Sequence, residues 1–326
     1  MRNSTRSFLL SALAFWACGH GPALAQEPAV KVGPARRAAL AQSMVLDVVR
    51  AGKRIVAVGE HGRVLLSDDQ GATFRQAAVV PMDLTLTSVS FTDASNGWAA
   101  GHGSTILHTA DGGEHWEVQY KDLAVDQPLF SVYFRDANNG WASGLWSLLL
   151  ATTDGGKTWT KITLTPPEGQ KRADLNLLQV FEGHGGKLFI AAEQGTVLTS
   201  DNDGQSWRYV KTGSAASLWA GAAGQGTSGV VAGLRGRILR TANDGASWQE
   251  IASPLEASIT HIVRKDQTFW ASTVNGAVLR SSDDGQSWVI AQQYGAALTA
   301  LLPLDASHTL AFSKQGLLRE PNSGTP

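Results

Sequence analysis

Residues 152–159 read TTDGGKTW, and the same spelling returns along the chain as SDDQGATF (67–74), TADGGEHW (109–116), SDNDGQSW (200–207), TANDGASW (241–248) and SSDDGQSW (281–288). Six copies share one grammar: Ser or Thr, any residue, Asp or Asn, any residue, Gly, two more residues, then an aromatic. The closing aromatics stand 42, 43, 48, 41 and 40 positions apart. A period of that size points to repeated blades or arrays.

Each place in the grammar has a mechanical reason. The acid or amide (Asp69, Asp111, Asp154, Asn202, Asn243, Asp283) can accept backbone N–H groups inside its own turn, and the Ser/Thr hydroxyl can brace it. The glycine (Gly71, Gly113, Gly156, Gly204, Gly245, Gly285) can take a positive φ that other residues resist. The aromatic (Phe74, Trp116, Trp159, Trp207, Trp248, Trp288) opens the next strand and can pack beneath the turn. This is the Asp-box, or bacterial neuraminidase repeat.

Upstream of each box runs a β-rich segment (RVLL, STILH, SLLLA, TVLT, RILR, AVLR), and before that a second strand and turn, as in IVAVGEHG and GWAAGHG. Earlier still comes an alternating segment: VLDVV, LTSVSF, LFSVYF, LLQVF, an irregular SLWAG, and THIV. The unit is therefore strand, strand, strand, box, strand. A seventh unit (ALTALLP, HTLAFSKQG, LLRE) ends in PNSGTP, where the box has decayed and the outer strand is missing. AVKV (29–32) or RRAALA (36–41) could supply that strand. The expected fold is all-β: a seven-bladed β-propeller with four-stranded blades and Asp-box hairpins over residues 43–320, followed by a tail at 321–326.

Residues 1–25 read as a secretory signal peptide: Arg2 and Arg6, the apolar run FLLSALAFWACG, then PALAQ with small residues at Ala23 and Ala25. Cleavage after Ala25 leaves residues 26–42 as an N-terminal segment and predicts an exported, periplasmic protein, or one in a compartment like the thylakoid lumen. The sole cysteine is Cys18, preceded by FWA rather than the small residues of a lipidation site. The mature chain then has no thiol and relies on its core alone. Loss of Arg2 and Arg6 moves the formal charge from −1 to −3, and nothing in the charge pattern points to nucleic acid.

Blades two and three carry more than a box. SVSFTDASNGWAAGHGSTILHTADGGEHW (88–116) and SVYFRDANNGWASGLWSLLLATTDGGKTW (131–159) resemble the photosystem II assembly and stability factors of cyanobacteria and chloroplasts, and their relatives in non-photosynthetic bacteria. The resemblance covers about residues 43–320 and implies a monomeric, non-catalytic propeller that binds a membrane-protein client during assembly of a complex. That client would be a photosystem subunit or an exporter-type transporter. It further implies a basic patch, whose nearest match is LRGRILR with Arg235, Arg237 and Arg240.

Asp-boxes also occur in sialidases and other glycosidases, so a glycan-active or glycan-binding propeller is the alternative. A sialidase needs an arginine cluster and a Tyr nucleophile activated by Glu, and most glycosidases need two facing carboxylates. Tyr120, Tyr133, Tyr209 and Tyr294 have no Glu placed near them in sequence, and Asp47, Glu60, Asp83, Asp126, Glu182 and Glu193 are carboxylates any propeller would offer. DNDG (201–204) opens like a calcium loop, but Ser206 and Thr212 occupy positions that need Gly and Glu. His102, His108 and His115 lack ligand spacing. No catalytic residue, metal or cofactor is expected.

The turn before the third strand collects residues that the repeat does not dictate: His61, His102, Trp146, Gln194, Arg235, Asn275 and Gln315. A propeller brings such turns to one face, around one mouth of its channel. With Arg63, Arg237 and Arg240 they make the candidate partner surface. Trp146 either stands exposed as an anchor or packs against a neighbouring blade.

Overall fold

The computed structural model describes residues 43–125 and 127–318, in which seven antiparallel sheets follow one another along the chain. Six have four strands in sequence order; the seventh has three among the described residues. Residues 1–25, expected to be a signal peptide, with Cys18, and AVKV, RRAALA, Asp126 and the decayed box lie outside the described residues.

The first strands are Val45–Ala51, Leu86–Phe91, Leu129–Phe134, Leu177–Glu182, Leu218–Ala223, Ile259–Lys265 and Leu298–Pro303. Each touches the first strand of the next blade, and that of blade 7 touches that of blade 1. They form the innermost ring, and the chain steps outward within each blade.

Every first strand pairs with its second strand through a register shift just after its first residue. The one extra residue is a β-bulge, which raises local twist and turns the following side chain. SLWAG belongs to this pattern: Leu218 pairs with Gly233 and Ala220 with Ala232 across the same shift. Its irregular look comes from Trp219, the bulged residue, rather than from a missing strand.

The repeated Phe-x-Asp…Gly-Trp-Ala run becomes the hairpin between first and second strands of blades 2 and 3. Asp93 Oδ1 accepts the N–H groups of Ser95 and Asn96, and Asp136 Oδ1 those of Asn138 and Asn139, closing Asx turns. The glycine after the turn clears space for a ring: a Cβ on Gly97 would lie 2.4 Å from Phe91, and one on Gly140 2.5 Å from Phe134. Seven apolar clusters, one per seam, each join two neighbouring blades, the last uniting Val48, Ile55 and Leu65 with Ala300 and Phe312. Burial between blades, rather than one central core, holds the ring.

Candidate functional site

Antiparallel pairing places the Asp-boxes and the first-to-second turns on one face, and the second-to-third turns with the blade connectors on the other. The boxes obey their grammar in full. In all six, the Gly N–H donates to the Ser/Thr hydroxyl at 2.8–3.0 Å. That hydroxyl donates to the Asp or Asn Oδ1 at 2.8–3.0 Å. The same oxygen accepts the N–H four residues on at 2.9–3.0 Å. Hydrogen bonding from Thr73 holds the Asp69 carboxyl at about 2, and the Thr158 amide holds Asp154 at about 2.

The boxes also fasten one blade to the next. All six glycines have φ between 73° and 91°. A Cβ on Gly204 would stand 2.3 Å from Trp141 Nε1, and one on Gly245 2.3 Å from the Phe189 ring, each in the preceding blade. A donor from that blade reaches each of boxes 2 to 6. Arg54 Nη1 donates to Gly112 O at 3.2 Å, Trp98 Nε1 to Gly155 O at 3.2 Å and Arg135 Nη1 to Asp203 at 2.6 Å. Lys187 pairs with Asp244 at 3.4 Å, and Arg240 Nε donates to Asp284 O at 2.7 Å. Box aromatics lock in turn: Trp116, Trp207 and Trp288 donate Nε1–H to the carbonyl of their own box glycine.

A second set of bonds crosses the seams near the channel, which sequence reading missed. In blades 1 to 4, the side chain just past the bulge of the first strand accepts an N–H of the next blade: Asp47 from Val89 at 2.8 Å, Ser88 from Val132 at 3.1 Å, Ser131 from Val180 at 3.1 Å, Gln179 from Gly221 at 2.7 Å. At the equivalent place Ala220 and Ala300 have no polar atom to offer, and His261 Nε2 lies 3.7 Å from Asp47. The bulge aims these residues, so a polar residue two places after the apolar residue that opens each of these first strands is the signal that could have found them.

The structure also brings Tyr133 and Arg135 to Glu182, which lies far along the chain from both. Tyr133 donates to Glu182 at 2.8 Å, and Arg135 Nε donates to the same oxygen at 2.8 Å. The trio superficially matches a sialidase nucleophile with its activating Glu. However, burial and then the Glu182 bond push the Tyr133 phenol well above its ordinary value, so it stays protonated, opposite to what a nucleophile needs. The carboxylates serve the backbone instead: Glu60 accepts Met44 N–H and Glu193 accepts Asn176 N–H, both at 3.1 Å. Asp83 lies exposed, 3.8 Å from His61.

On the opposite face, five second-to-third turns place two successive residues at positive φ, the geometry of two-residue hairpin loops. His61, Trp146, Gln194 and Arg235 occupy the leading place, with φ between 51° and 57°. In blade 2 that place belongs to Gly103, so His102 sits one residue before it. In blades 6 and 7 only Gly276 and Gly316 turn left-handed, with Asn275 and Gln315 just before them. The turns hydrogen-bond to the connectors that enter the first strands, as Leu145 N–H does to Pro128 O and Gly195 N–H to Ala216 O. They therefore share one face but stand back from the channel mouth by the width of those connectors.

Trp146 is 61% exposed, so it stands free rather than packing on a neighbouring blade. A bulky side chain held left-handed and exposed carries strain that no packing offsets. Arg235 and Arg237 are both exposed, and they separate two clefts of about 470 and 410 Å³. Arg237 pairs with Glu250, whereas Arg235 has no ion pair among the described residues. Arg240 leaves this group: strand alternation turns it to the seam, where Asp284 binds it at 2.8 Å. Arg63 sits in blade 1, three blades round the ring from Arg235, with its Nε buried.

Comparison with known proteins now adds to the geometry. Residues 76–207 match the family described as photosynthesis system II assembly factor YCF48. No curated protein matches significantly in sequence. Among solved structures, YCF48 bound to a D1 peptide superposes with a TM-score of 0.66 at 19% identity, over 85% of this chain and 92% of that one. YCF48 from Cyanidioschyzon merolae gives 0.67 at 17%, over 85% and 94%. A GH74 xyloglucanase from Xanthomonas campestris gives 0.64 at 16%, over 85% of this chain but 52% of the enzyme. At these identities the superpositions establish the fold, and residues 76–207 carry this chain's likeness to the photosynthesis system II assembly factor YCF48 family.

Proposed function

We propose that this chain is an exported, non-enzymatic propeller that holds a membrane-protein client while a larger complex assembles. The observation that carries this reading is the face opposite the boxes, where the Arg235 and Trp146 side chains stand exposed at the tips of left-handed turns. The family match over residues 76–207, and a related structure that holds a D1 peptide, support a client drawn from a membrane complex. The client is a photosystem subunit in a photosynthetic host or an exporter-type transporter in another. Arg235, with no ion pair among the described residues, supplies a positive charge for a carboxylate on the client, and the flanking clefts accept its neighbouring side chains.

Pull-down from detergent-solubilised membranes tests this. Wild type should recover a membrane protein, and the Arg235→Ala/Arg237→Ala variant should lose it while melting at the same temperature. Recovery of none by either, or equal recovery by both, overturns the reading. Export is checked separately: N-terminal sequencing of protein from the periplasmic or lumenal fraction should begin at Gln26.

A further inference from the structure

Among the described residues seven large apolar side chains are exposed, and three of them gather on the turn face of blades 2 and 3. Leu123 is 60% exposed, Val125 47% and Trp146 61%. Leu123 and Val125 belong to the connector 121–128, and Trp146 to the turn after the second strand of blade 3. Hydrogen bonds join these pieces into one unit. Ser104 Oγ, in the turn of blade 2, donates to Gln127 O at 2.6 Å. Leu145 N–H donates to Pro128 O at 3.0 Å, and Gln127 Nε2 to Leu145 O at 3.3 Å. At the tip of the connector, Asp122 Oδ1 accepts Ala124 N–H at 3.1 Å, closing an Asx turn that presents Leu123.

On its other side the Trp146 turn is clamped by the connector 162–176. Trp146 N–H donates to Asn176 Oδ1 at 3.1 Å, and Ser147 N–H to Leu175 O at 2.8 Å. Backbone bonds on both flanks therefore hold the indole outward, and a partner need not order the turn that carries it. The other exposed apolar side chains are placed differently. Val118, Val289 and Ile290 lie on outer strands, at the side of the ring, and Val274 stands alone in the turn of blade 6.

We propose that this patch rests on the surface of a lipid bilayer. A peptide partner is gripped in a groove, as the clefts beside Arg235 would grip one two blades away, whereas apolar side chains that project from loop tips enter a fluid interface. Tryptophan, with an apolar ring and one N–H, is a side chain that interface favours. Charge contributes little: across the two connectors Lys121, Lys171 and Arg172 are outnumbered by four acids, so anionic headgroups are not the attraction. Three side chains give no more than the reversible anchoring of one acyl chain, about 10⁴ M⁻¹. The contact lays the turn face against the membrane and brings Arg235 to the loops of a client embedded there. The inference goes beyond the client reading and stands without it, because a protein-free vesicle holds no client.

Flotation with phosphatidylcholine vesicles at millimolar lipid tests it, using the processed chain from Gln26 on, so that the apolar run 8–19 cannot bind lipid itself. Wild type should float, equally well when part of the lipid is anionic and when salt is raised to about 0.5 M. Leu123→Ser/Trp146→Ser should weaken the partition at least about tenfold without lowering the melting temperature. Val289→Ser/Ile290→Ser, which removes exposed apolar surface from the side of the ring, should float as wild type does. So should Arg235→Ala/Arg237→Ala, the variant expected to lose the client, and the two readings therefore fail separately. No flotation by wild type, an equal loss in both apolar variants, or flotation only on anionic vesicles at low salt would each overturn the proposal. A Leu123→Ser/Trp146→Ser variant that floats normally but loses the client in detergent would overturn it too, and would make the patch a protein contact.

Discussion

The two faces of the ring follow opposite rules. On the box face, six turns repeat the same three hydrogen bonds, every one of them between 2.8 and 3.0 Å long, and each box glycine presses on the blade before it. On the turn face, equivalent positions hold His61, Gly103, Trp146, Gln194 and Arg235, and all but Gly103 are strained non-glycine residues. One face directs its chemistry inward to the seams and the other keeps its side chains outward. The ring thus keeps its repeated hydrogen bonds on one face and its variable side chains on the other.

The largest effect expected from breaking this division is at a box glycine. Gly204→Val combines a left-handed φ with a clash against Trp141, and should cost about 3–5 kcal/mol, read as a lower urea midpoint. Arg240→Ala comes next: it strips a largely buried charge pair and a carbonyl bond from the seam between blades 5 and 6, for a loss of about 2 kcal/mol. Arg235→Ala, on the open face of the same stretch, should stay within about 0.5 kcal/mol of wild type. If the two arginines destabilise equally, the two faces are not distinct.

Acid offers a subtler probe. Asp69, Asp154 and Asp283 are held at about 2 in the folded ring against 3.8 for an ordinary Asp carboxyl, so their contribution is fully present above that ordinary value. It should fade as pH falls from about 4 through 2. Boxes 4 and 5 already use Asn202 and Asn243 with the same bonds, so the triple Asp→Asn variant should keep the fold at pH 7 and flatten this loss in a series of melts. The smallest effect is on the turn face: Trp146→Gly relieves a left-handed tryptophan and should raise stability by up to about 1 kcal/mol.

Much of this was legible in the sequence, because a box is a local object. Its bonds join neighbours along the chain, so the Thr152-Asp154-Gly156 spelling is enough to predict them, and the spacing of the boxes gives the blades. Apart from the polar residue after each bulge, what crosses a seam was not legible. The approach of Gly204 to Trp141, and the meeting of Tyr133 and Arg135 with the distant Glu182, exist only once neighbouring blades stand side by side. Arg240 illustrates the limit within one stretch. LRGRILR reads as a single basic patch, yet the turn before the strand holds Arg235 and Arg237 on the open face while the pleat of the strand Ile238–Thr241 sends Arg240 into the seam.

The central claim is that the turn face binds the client while the box face only builds the ring. The measurement that tests it most directly is a titration of the recovered client against three proteins: wild type, Arg235→Ala/Trp146→Ala, and Asp154→Asn. The double variant should lose at least about tenfold in affinity at unchanged melting temperature, roughly the loss of one good contact. The box variant should bind as wild type does. Equal affinity for all three, or a loss confined to the box variant, would contradict the account.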